Sequence, residues 1–292
     1  MKIELAKSYG FCFGVKRAIR IAEEHPGAST LGPLIHNNME IDRLKRDYDV
    51  SLANSLEEIK EGQATVIRTH GIPKNDLKKL KAKGGEVIDA TCPFVTKPQQ
   101  IVEKMSDEGY DVVIFGDVNH PEIKGVMSYA NGPVYAILSV EELEKITLRE
   151  RVALVAQTTR KIEEYNKLIA YLVPRHKEVR VFNTICNATF ENQDAAKELA
   201  QRADVMIVIG GKQSSNTKQL YTICARYCPD TYHIESKDEL EKGWFEGKKL
   251  CGITAGASTP EWIIEEIIGE SLSAFLPGFK IGYKVLKTIF NK

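Results

Sequence analysis

Short apolar runs alternate with amphipathic segments along most of the chain. The apolar runs are rich in β-branched residues and end in glycine or small polar residues, as in ATVIRTHG, DVVIFGDVNHPE, RVALVAQTT, DVMIVIGGKQSSNT and KLCGITAGAST. Between them lie segments with helical periodicity, such as IPKNDLKKLKAKG, KIEEYNKLIAYLV and ENQDAAKELAQRA. This alternation predicts an α/β fold with small, mostly parallel sheets, in which ligands bind beyond the carboxyl ends of the strands.

The pattern occurs three times, and each copy has one cysteine that ends a strand-like run and precedes a helical segment. These cysteines are Cys12, Cys92 and Cys186. Each is followed by two further strand-end loops, which contain His36 and His70, then His120 and Thr158, then Ser214 and Ser258. We therefore predict three tandem αβ domains around a pseudo-threefold axis, with cysteines and loops converging on one cavity. The predicted domains are 13–92, 93–183, and 1–12 with 184–275, followed by a basic amphipathic tail at 276–292.

Composition and charge narrow the class of protein. The 292 residues are 43% hydrophobic and 27% charged, which is typical of a globular protein, and the net charge of zero does not indicate a nucleic-acid partner. The sequence has no apolar run of signal-peptide or transmembrane length, so we expect a cytoplasmic protein. In that reducing compartment the six cysteines indicate buried thiols, metal ligands or catalysis more than disulfides.

The three repeated cysteines are candidate metal ligands. Structural zinc sites usually draw cysteines in close pairs, and no C-x2-C pair occurs here. One isolated thiol per copy suits a larger group, such as a cubane iron–sulfur cluster, and three ligands would leave one iron open. Two alternatives remain at this point, a zinc metallohydrolase of a small phosphate ester and a cluster protein without catalytic activity. The other cysteines break the threefold pattern and are interpreted as packing residues: Cys224, Cys228 and Cys251.

The polar loops indicate an anionic substrate. Histidines, hydroxyls, amides and helix N-termini suit a phosphate, and the sequence SSN adds Ser215 and Asn216 to Ser214. No Walker-type phosphate loop is present, which favours a small phosphate or diphosphate over a nucleotide. Glu122 is the carboxylate among these loops, and it is interpreted either as a proton relay or as an ordinary residue in the first turn of a helix.

The residues around Cys12 suggest its environment. Phe11 and Phe13 flank the thiol and predict either a dry wall beside it or ordinary core packing, while Gly14 predicts a tight turn into the helix. Lys16 and Arg17 are expected either to favour the thiolate or to face solvent on the helix.

Nine motifs in this order resemble those of one known family. They are GFCFGVKRA, LGPLIHN, RTHGIP, DATCP, NHPE, AQTT, TICNAT, SSNT and TAGAST, and they extend through nearly the whole chain. The sequence is similar to the LytB-type (IspH) 4-hydroxy-3-methylbut-2-enyl diphosphate reductases of the non-mevalonate isoprenoid pathway.

The resemblance implies a trefoil of three αβ domains around a central [4Fe–4S] cluster. Its ligands would be Cys12, Cys92 and Cys186, and the substrate hydroxyl would bind the open iron. The implied reaction is a two-electron reductive dehydroxylation that gives isopentenyl and dimethylallyl diphosphate, with electrons from a ferredoxin or flavodoxin. The implied diphosphate-binding residues are His36, His70, Ser214, Asn216 and Ser258, with Ser215 beside them. The group around the hydroxyl would be His120, Thr158 and Glu122, with Glu122 supplying the proton.

Two features depart from the family pattern or lie outside it. Asn192 stands where the family has an arginine, in TFENQDA, so any contact made by that arginine is in doubt. The C-terminus is basic and aromatic from Phe279 onward, which is compatible with contact to a membrane or an acidic redox partner, or with docking on the protein's own surface. Its basic residues are Lys280, Lys284, Lys287 and Lys292.

Overall fold

The structure is a computed structural model, and it describes residues 1–271 and 280–281. The predicted tail at 276–292 lies outside these residues, apart from the two-residue strand Lys280–Ile281. Within the described part, none of the helices combines the length and the apolar character needed to cross a membrane.

Thirteen strands form three small sheets, and every strand pair in the described part is parallel. The strands are β1 Lys2–Leu5, β2 Ser29–Leu31, β3 Ser51–Ala53, β4 Thr65–Ile67, β5 Val87–Asp89, β6 Asp111–Phe115, β7 Val134–Ile137, β8 Arg151–Ala156, β9 Glu178–Val181, β10 Val205–Ile209, β11 Thr231–Ile234, β12 Leu250–Ala255 and β13 Lys280–Ile281. The predicted α/β class with small parallel sheets is therefore confirmed.

The three sheets share one strand order. They read β3-β2-β4-β5, β7-β6-β8-β9 and β11-β10-β12-β1, with β13 added beside β1 in the third. In each sheet the strand that leads to a repeated cysteine (β5, β9 or β1) pairs with the strand that leads to the second polar loop (β4, β8 or β12). The repeat found in the sequence is thus a repeat of sheet topology.

Ten α-helices connect the strands in the part of the chain that the structure describes. They are α1 Phe13–Glu23, α2 Asn38–Tyr48, α3 Lys74–Ala82, α4 Pro93–Asp107, α5 Pro121–Met127, α6 Val140–Leu143, α7 Ile162–Leu172, α8 Asn187–Ala200, α9 Ser215–Tyr227 and α10 Glu261–Glu266, and a short π-helix, Ile267–Ser271, follows α10. Right-handed β-α-β crossovers are the usual way to join parallel strands, which is why helical segments separate the apolar runs.

The chain forms two compact units in the described part. One comprises residues 1–12, 36–40 and 187 onward, and the other comprises residues 13–35 and 41–186. The first unit contains the third sheet, and the second contains the other two. Each sheet lies within one of the three predicted domain segments, except that β13 of the third sheet falls in the predicted tail. The division into three domains stays a prediction.

Helices cover both faces of the third sheet. Along β10, Val205, Ile207 and Ile209 belong to one apolar core, while Met206 and Val208 belong to another. All five residues are buried, which explains why this strand is a continuous apolar run and does not alternate with polar residues. A strand covered on both faces leaves its carboxyl end as the place where polar loops reach the surface.

Candidate functional site

The three repeated cysteines have the same local setting. Each is half-buried and directly precedes the first residue of a helix, α1, α4 or α8. Each also donates its backbone N–H to a carbonyl in the loop after the neighbouring strand. These bonds are Cys12 N to Ala257 O at 3.2 Å, Cys92 N to Thr69 O at 3.0 Å and Cys186 N to Thr158 O at 2.9 Å.

This setting suits a thiolate ligand. The N-terminus of a helix carries unpaired N–H groups and a partial positive charge, both of which favour the ionised sulfur. The accepting loops are the ones that contain Ser258, His70 and Thr158, so each cysteine is tied to a loop with a predicted substrate residue. The tie follows from the strand order, because the two strands concerned are neighbours in each sheet.

The other three cysteines have a different environment. Cys224 and Cys228 lie in the apolar core around α8 and α9, and Cys251 lies in the core on the other face of the third sheet. Burial raises the pKa of Cys224 and that of Cys251 to about 12, and it also raises the pKa of Cys228. These thiols are protonated and enclosed, as expected of packing residues. None of the six cysteines forms a disulfide.

Helix α1 packs directly on the loop that carries Cys92. A Cβ atom at Gly14 would lie 2.4 Å from the Cys92 sulfur, so any larger residue there would displace this thiol. One turn later, the Arg17 guanidinium donates to the carbonyls of Thr91 and Asp89, each at 3.2 Å. Gly14 and Arg17 are three residues apart on one helix face and together fix the approach to Cys92.

These contacts correct three expectations about the stretch after Cys12. Gly14 lies inside the helix and provides space for a sulfur, whereas the sequence suggested a turn. Arg17 uses its donors on backbone carbonyls of the Cys92 loop, while Lys16 is exposed. Phe13 is 65% exposed and forms no dry wall, because the first turn of α1 directs it away from the buried face of that helix.

Glu122 is buried beside Thr158. The side chain of Glu122 is 2% exposed, and its two carboxylate oxygens accept from the Thr158 backbone N–H and from the Thr158 hydroxyl, each at 2.7 Å. Burial raises the pKa of Glu122, and the two bonds from Thr158 and the charge of Arg160 oppose this rise without cancelling it. A carboxyl with a raised pKa in a closed site is able to hold and release a proton.

His120 and His70 lie next to this carboxyl group. His120 is the N-cap of α5, and its Nδ1 accepts from the Glu122 backbone N–H at 3.2 Å. The neutral ring therefore carries its proton on Nε2. The His70 ring packs edge-on against the His120 ring, with 5.4 Å between centroids. The structure thus brings together four predicted residues, which are His70, His120, Glu122 and Thr158.

Gln157 belongs to the same neighbourhood and was missed in the sequence. Its side chain is buried, and its Oε1 accepts from the Asp117 backbone N–H at 3.1 Å. Its Nε2 has no hydrogen-bond partner among the described residues. The signal was the motif AQTT, where a glutamine directly follows the apolar run VALVA, but only the threonine after it was singled out.

A second group of predicted residues assembles in the other unit. The Ser258 hydroxyl donates to the His36 carbonyl at 3.3 Å. A Cβ atom at Gly211 would lie 2.4 Å from the same carbonyl oxygen, so glycine is needed there for the loop after β10 to approach His36. Ser214 follows in that loop and donates its N–H to the Gly211 carbonyl at 2.9 Å.

Helix α9 begins in this group with a polar first turn. Ser214 is its N-cap and accepts from the Thr217 N–H at 3.2 Å, and Ser215 is its first residue. Asn216 is 5% exposed, yet neither its amide nitrogen nor its amide oxygen has a partner among the described residues. A buried amide with both ends unpaired costs folding free energy, which indicates a ligand-binding residue.

Asn192, which replaces the arginine of the family pattern, is a buried residue of α8. Its Oδ1 accepts from the Ser8 hydroxyl at 2.6 Å. Ser8 lies four residues before Cys12, so this bond ties the loop that carries Cys12 to α8. Asn192 is therefore a structural contact between two backbone segments.

The comparisons with known proteins agree with one another. The family model described as "LytB protein" matches residues 3–271. A 4-hydroxy-3-methylbut-2-enyl diphosphate reductase of Nitratiruptor sp. is 70% identical over 92% of this chain and 97% of its own length. The enzyme of the same name from Campylobacter concisus is 65% identical over 92% of this chain and 98% of its own length.

Two solved structures are also similar. One, described as (E)-4-hydroxy-3-methyl-but-2-enyl diphosphate reductase, the terminal enzyme of the non-mevalonate pathway, is 46% identical, covers 91% of this chain and 97% of its own, and has a TM-score of 0.68. The other, the E-1-hydroxy-2-methyl-but-2-enyl-4-diphosphate reductase of Plasmodium falciparum, is 24% identical, covers 98% and 97%, and supports the fold with a TM-score of 0.87. The chain therefore belongs to the LytB protein family.

Proposed function

We propose that this protein is a 4-hydroxy-3-methylbut-2-enyl diphosphate reductase, an oxidoreductase that acts at the end of the non-mevalonate route to isoprenoid precursors. The observation that carries the proposal is the buried pair of Glu122 and Thr158. The carboxyl group has a raised pKa, and the carbonyl of Thr158 accepts the N–H of a candidate ligand, Cys186. A proton donor and a metal-binding thiol thus lie on either side of one threonine. Relatives of this chain carry the same enzyme name, one of them at 70% identity.

Cys12, Cys92 and Cys186 would hold a [4Fe–4S] cluster. The fit is supported by three half-buried thiols in one repeated setting at helix N-termini, and by the space that Gly14 leaves at the Cys92 sulfur. Three thiolates are also the right donor chemistry for such a cluster. When bound, it supplies one-electron transfers and Lewis acidity.

The diphosphate of the substrate would be bound by residues that the sequence nominated. Those with supporting geometry in one unit are His36, Ser258 and the first turn of α9, where the unpaired amide of Asn216 has a donor and an acceptor to offer. An anion at the N-terminus of α9 would also meet backbone N–H groups. The proposed diphosphate-binding set is His36, His70, Ser214, Asn216 and Ser258, with Ser215 beside them.

Glu122, Thr158 and His120 would act on the allylic hydroxyl. The reaction takes up two electrons and two protons, breaks the C–O bond and releases the oxygen as water. A protonated Glu122 can supply the proton that the leaving oxygen needs, and the Thr158 hydroxyl can pass it on, because it lies 2.7 Å from the carboxylate. His120 can donate from Nε2 to the same oxygen, since its Nδ1 is occupied by the Glu122 N–H.

The electrons would come from a ferredoxin or flavodoxin, since each delivers one electron at a time. A cytoplasmic location would keep the cluster thiols reduced. The zinc metallohydrolase considered from the sequence is set aside, because the family of this chain consists of enzymes named as reductases.

Anaerobic purification followed by turnover tests the proposal. We expect a brown protein with the broad visible absorption of a thiolate-bound cluster, which converts 4-hydroxy-3-methylbut-2-enyl diphosphate when reduced methyl viologen is supplied. Serine at Cys12, Cys92 or Cys186 is expected to remove most of the iron per chain. The matched controls, serine at Cys224, Cys228 or Cys251, should keep it. A colourless protein, or equal iron in both sets, would refute the proposal.

A further inference from the structure

Two exposed phenylalanines stand beside two of the candidate cluster ligands. Phe13 follows Cys12, and Phe94 is the second residue after Cys92. They are 65% and 43% exposed, and Phe13 is the most exposed large hydrophobic side chain among the described residues. Exposed aromatic side chains cost hydration free energy and often mark an interface.

The two phenylalanines belong to one corner of their unit. Gly14, next to Phe13, packs against the sulfur of Cys92, and Arg17 binds the carbonyls that precede it. The start of α1 is therefore held against the loop that leads into α4, and Phe13 and Phe94 are exposed in the first turns of these two helices. We call the exposed side chains at the start of these helices the aromatic–basic surface, and they are Phe13, Lys16, Arg20, Phe94 and Lys97.

The charge of this surface has one sign. Lys16, Arg20 and Lys97 are exposed, and neither helix has an acidic residue in its first turn. Among these three cations, Arg20 has a carboxylate partner, Glu24, which lies one residue beyond the end of α1 at 3.5 Å. Aromatic side chains surrounded by basic ones complement an acidic protein. The basic side chains at the rim attract the partner, and the aromatic side chains stabilise the complex when they become buried in it.

We propose that the aromatic–basic surface docks the one-electron carrier, and that this carrier is an acidic protein. The inference rests on the proposed function, which needs two electrons that this chain must obtain from outside. The sequence contains no G-x-G-x-x-G dinucleotide fingerprint, so a separate carrier is the fitting source. Docking here would place the carrier beside the backbone of two cluster ligands, which shortens the path for electron transfer.

The surface is suited to a brief encounter. Redox complexes are at the small end of protein interfaces, below about 1,200 Å², and must release the carrier after each electron. Two aromatic side chains and three cations are enough for such a contact. Because the carrier docks twice per turnover, the association rate matters as much as the affinity, and exposed cations act mainly on that rate.

Two pairs of substitutions in the full-length, cluster-containing protein test the docking surface. One pair is Phe13→Ala with Phe94→Ala, and the other is Lys16→Glu with Lys97→Glu. Matched controls in the same unit are Val173→Ala, at an apolar residue that is 55% exposed, and Lys145→Glu, at an exposed lysine. Initial rates are measured with reduced methyl viologen, a small donor, and with an acidic plant-type ferredoxin as the protein donor. Binding of the oxidised ferredoxin is measured separately by calorimetry.

Both pairs should leave the viologen rate within about twofold of the parent, since neither alters a residue of the active site. The charge-reversal pair should raise the KM for ferredoxin about tenfold at low ionic strength and much less at high salt, where the charges are screened. The aromatic pair should weaken ferredoxin binding about fivefold to tenfold at every salt concentration. The two control variants should match the parent with both donors.

Equal losses with viologen and ferredoxin would overturn the proposal, because the surface would then serve the active site or the fold. Unchanged ferredoxin binding in both pairs would also overturn it. A change of oligomeric state in the aromatic pair, seen by sedimentation, would assign the surface to a second copy of the chain. A parent protein that binds ferredoxin through this surface but fails to turn over would count against the proposed reaction and not against the docking site.

Discussion

Replacing Glu122 by glutamine tests whether its carboxyl group donates a proton, because glutamine can keep the hydrogen bonds to Thr158 but cannot act as an acid. In the parent protein the two carboxylate oxygens accept from the N–H and the hydroxyl of Thr158, each at 2.7 Å. A glutamine can keep both contacts, since its oxygen accepts the N–H and its amide donates to the hydroxyl oxygen of Thr158. It cannot supply a proton. We therefore expect Glu122→Gln to bind substrate normally and to lower kcat by about 10²–10⁴-fold, the usual contribution of general acid catalysis.

The pH profile gives an independent test of the same residue. Burial raises the pKa of Glu122 above its ordinary value of 4.5, so the protonated form persists to higher pH and kcat should fall as pH rises through the raised pKa. The charge of Arg160 lowers this pKa. Arg160→Met should therefore move the descending limb to higher pH, and Glu122→Gln should abolish the limb.

The free energy of unfolding tests the protonation of Glu122 through its pH dependence, and it tests the buried contacts of this side chain through the variant Glu122→Ala. The folded-state pKa of Glu122 is raised, so its stabilising contribution is fully present below pH 4.5 and is lost as pH rises through the folded pKa. Glu122→Gln should remove this dependence. Glu122→Ala removes the carboxyl that accepts from two buried Thr158 donors, a loss of about 1–3 kcal/mol each, and should lower the free energy of unfolding by about 2–6 kcal/mol. Near-normal kcat in Glu122→Gln, or an unchanged limb, would refute the role of this carboxyl.

Three further predictions concern the ligands and the substrate. Gly14→Ala places a Cβ 2.4 Å from the Cys92 sulfur, so iron per chain should fall, whereas Gly243→Ala, with no atom within 4 Å of the added Cβ, should keep it. Arg17→Met removes two bonds to the loop before Cys92, so a chelator should extract iron faster and the thiol of the iron-free protein should be alkylated faster. Asn216→Ala should raise KM for the diphosphate at least about tenfold with an unchanged cluster spectrum, since two unpaired amide atoms are removed; an unchanged KM would make this amide structural.

Much of the architecture was predictable because the signals are repeated. A single cysteine before a helix is weak evidence, but three of them, each followed by two polar strand-end loops, required a threefold pattern of sheets. The strand Val205–Ile209 was predictable from its unbroken apolar run, which only a strand covered on both faces explains. The tie from each cysteine to a loop was not predictable, because it depends on which strands pair, and strand order leaves no local mark in the sequence.

Phe13 shows why the site was harder to predict than the fold. It directly follows Cys12 and lies two residues after Phe11, and this apolar setting suggested burial. The helix begins at Phe13 itself, however, and its buried face is formed by Gly14, Val15, Ala18, Ile19 and Ala22. Periodicity of 3.6 residues then places Phe13 with Lys16 and Arg20 on the opposite face. Whether Phe13 is exposed depends on where α1 begins, and the ends of helices are the part of the structure that sequence patterns define least well.

The most informative contact in the molecule is made by backbone atoms. Thr158 donates its N–H to the buried carboxyl of Glu122 and accepts the N–H of Cys186 at its carbonyl, so one peptide segment holds both the proposed proton donor and a proposed ligand. The same arrangement ties Cys92 to the loop of His70. Neither of the two bonds that tie a cysteine to a loop requires a side chain, which explains why the sequence could nominate the residues but not the connection between them. Backbone hydrogen bonds survive most substitutions, so strand order fixes the spacing between the cysteine loops and the substrate loops. The side chains at the ends of these loops then determine the chemistry of the site.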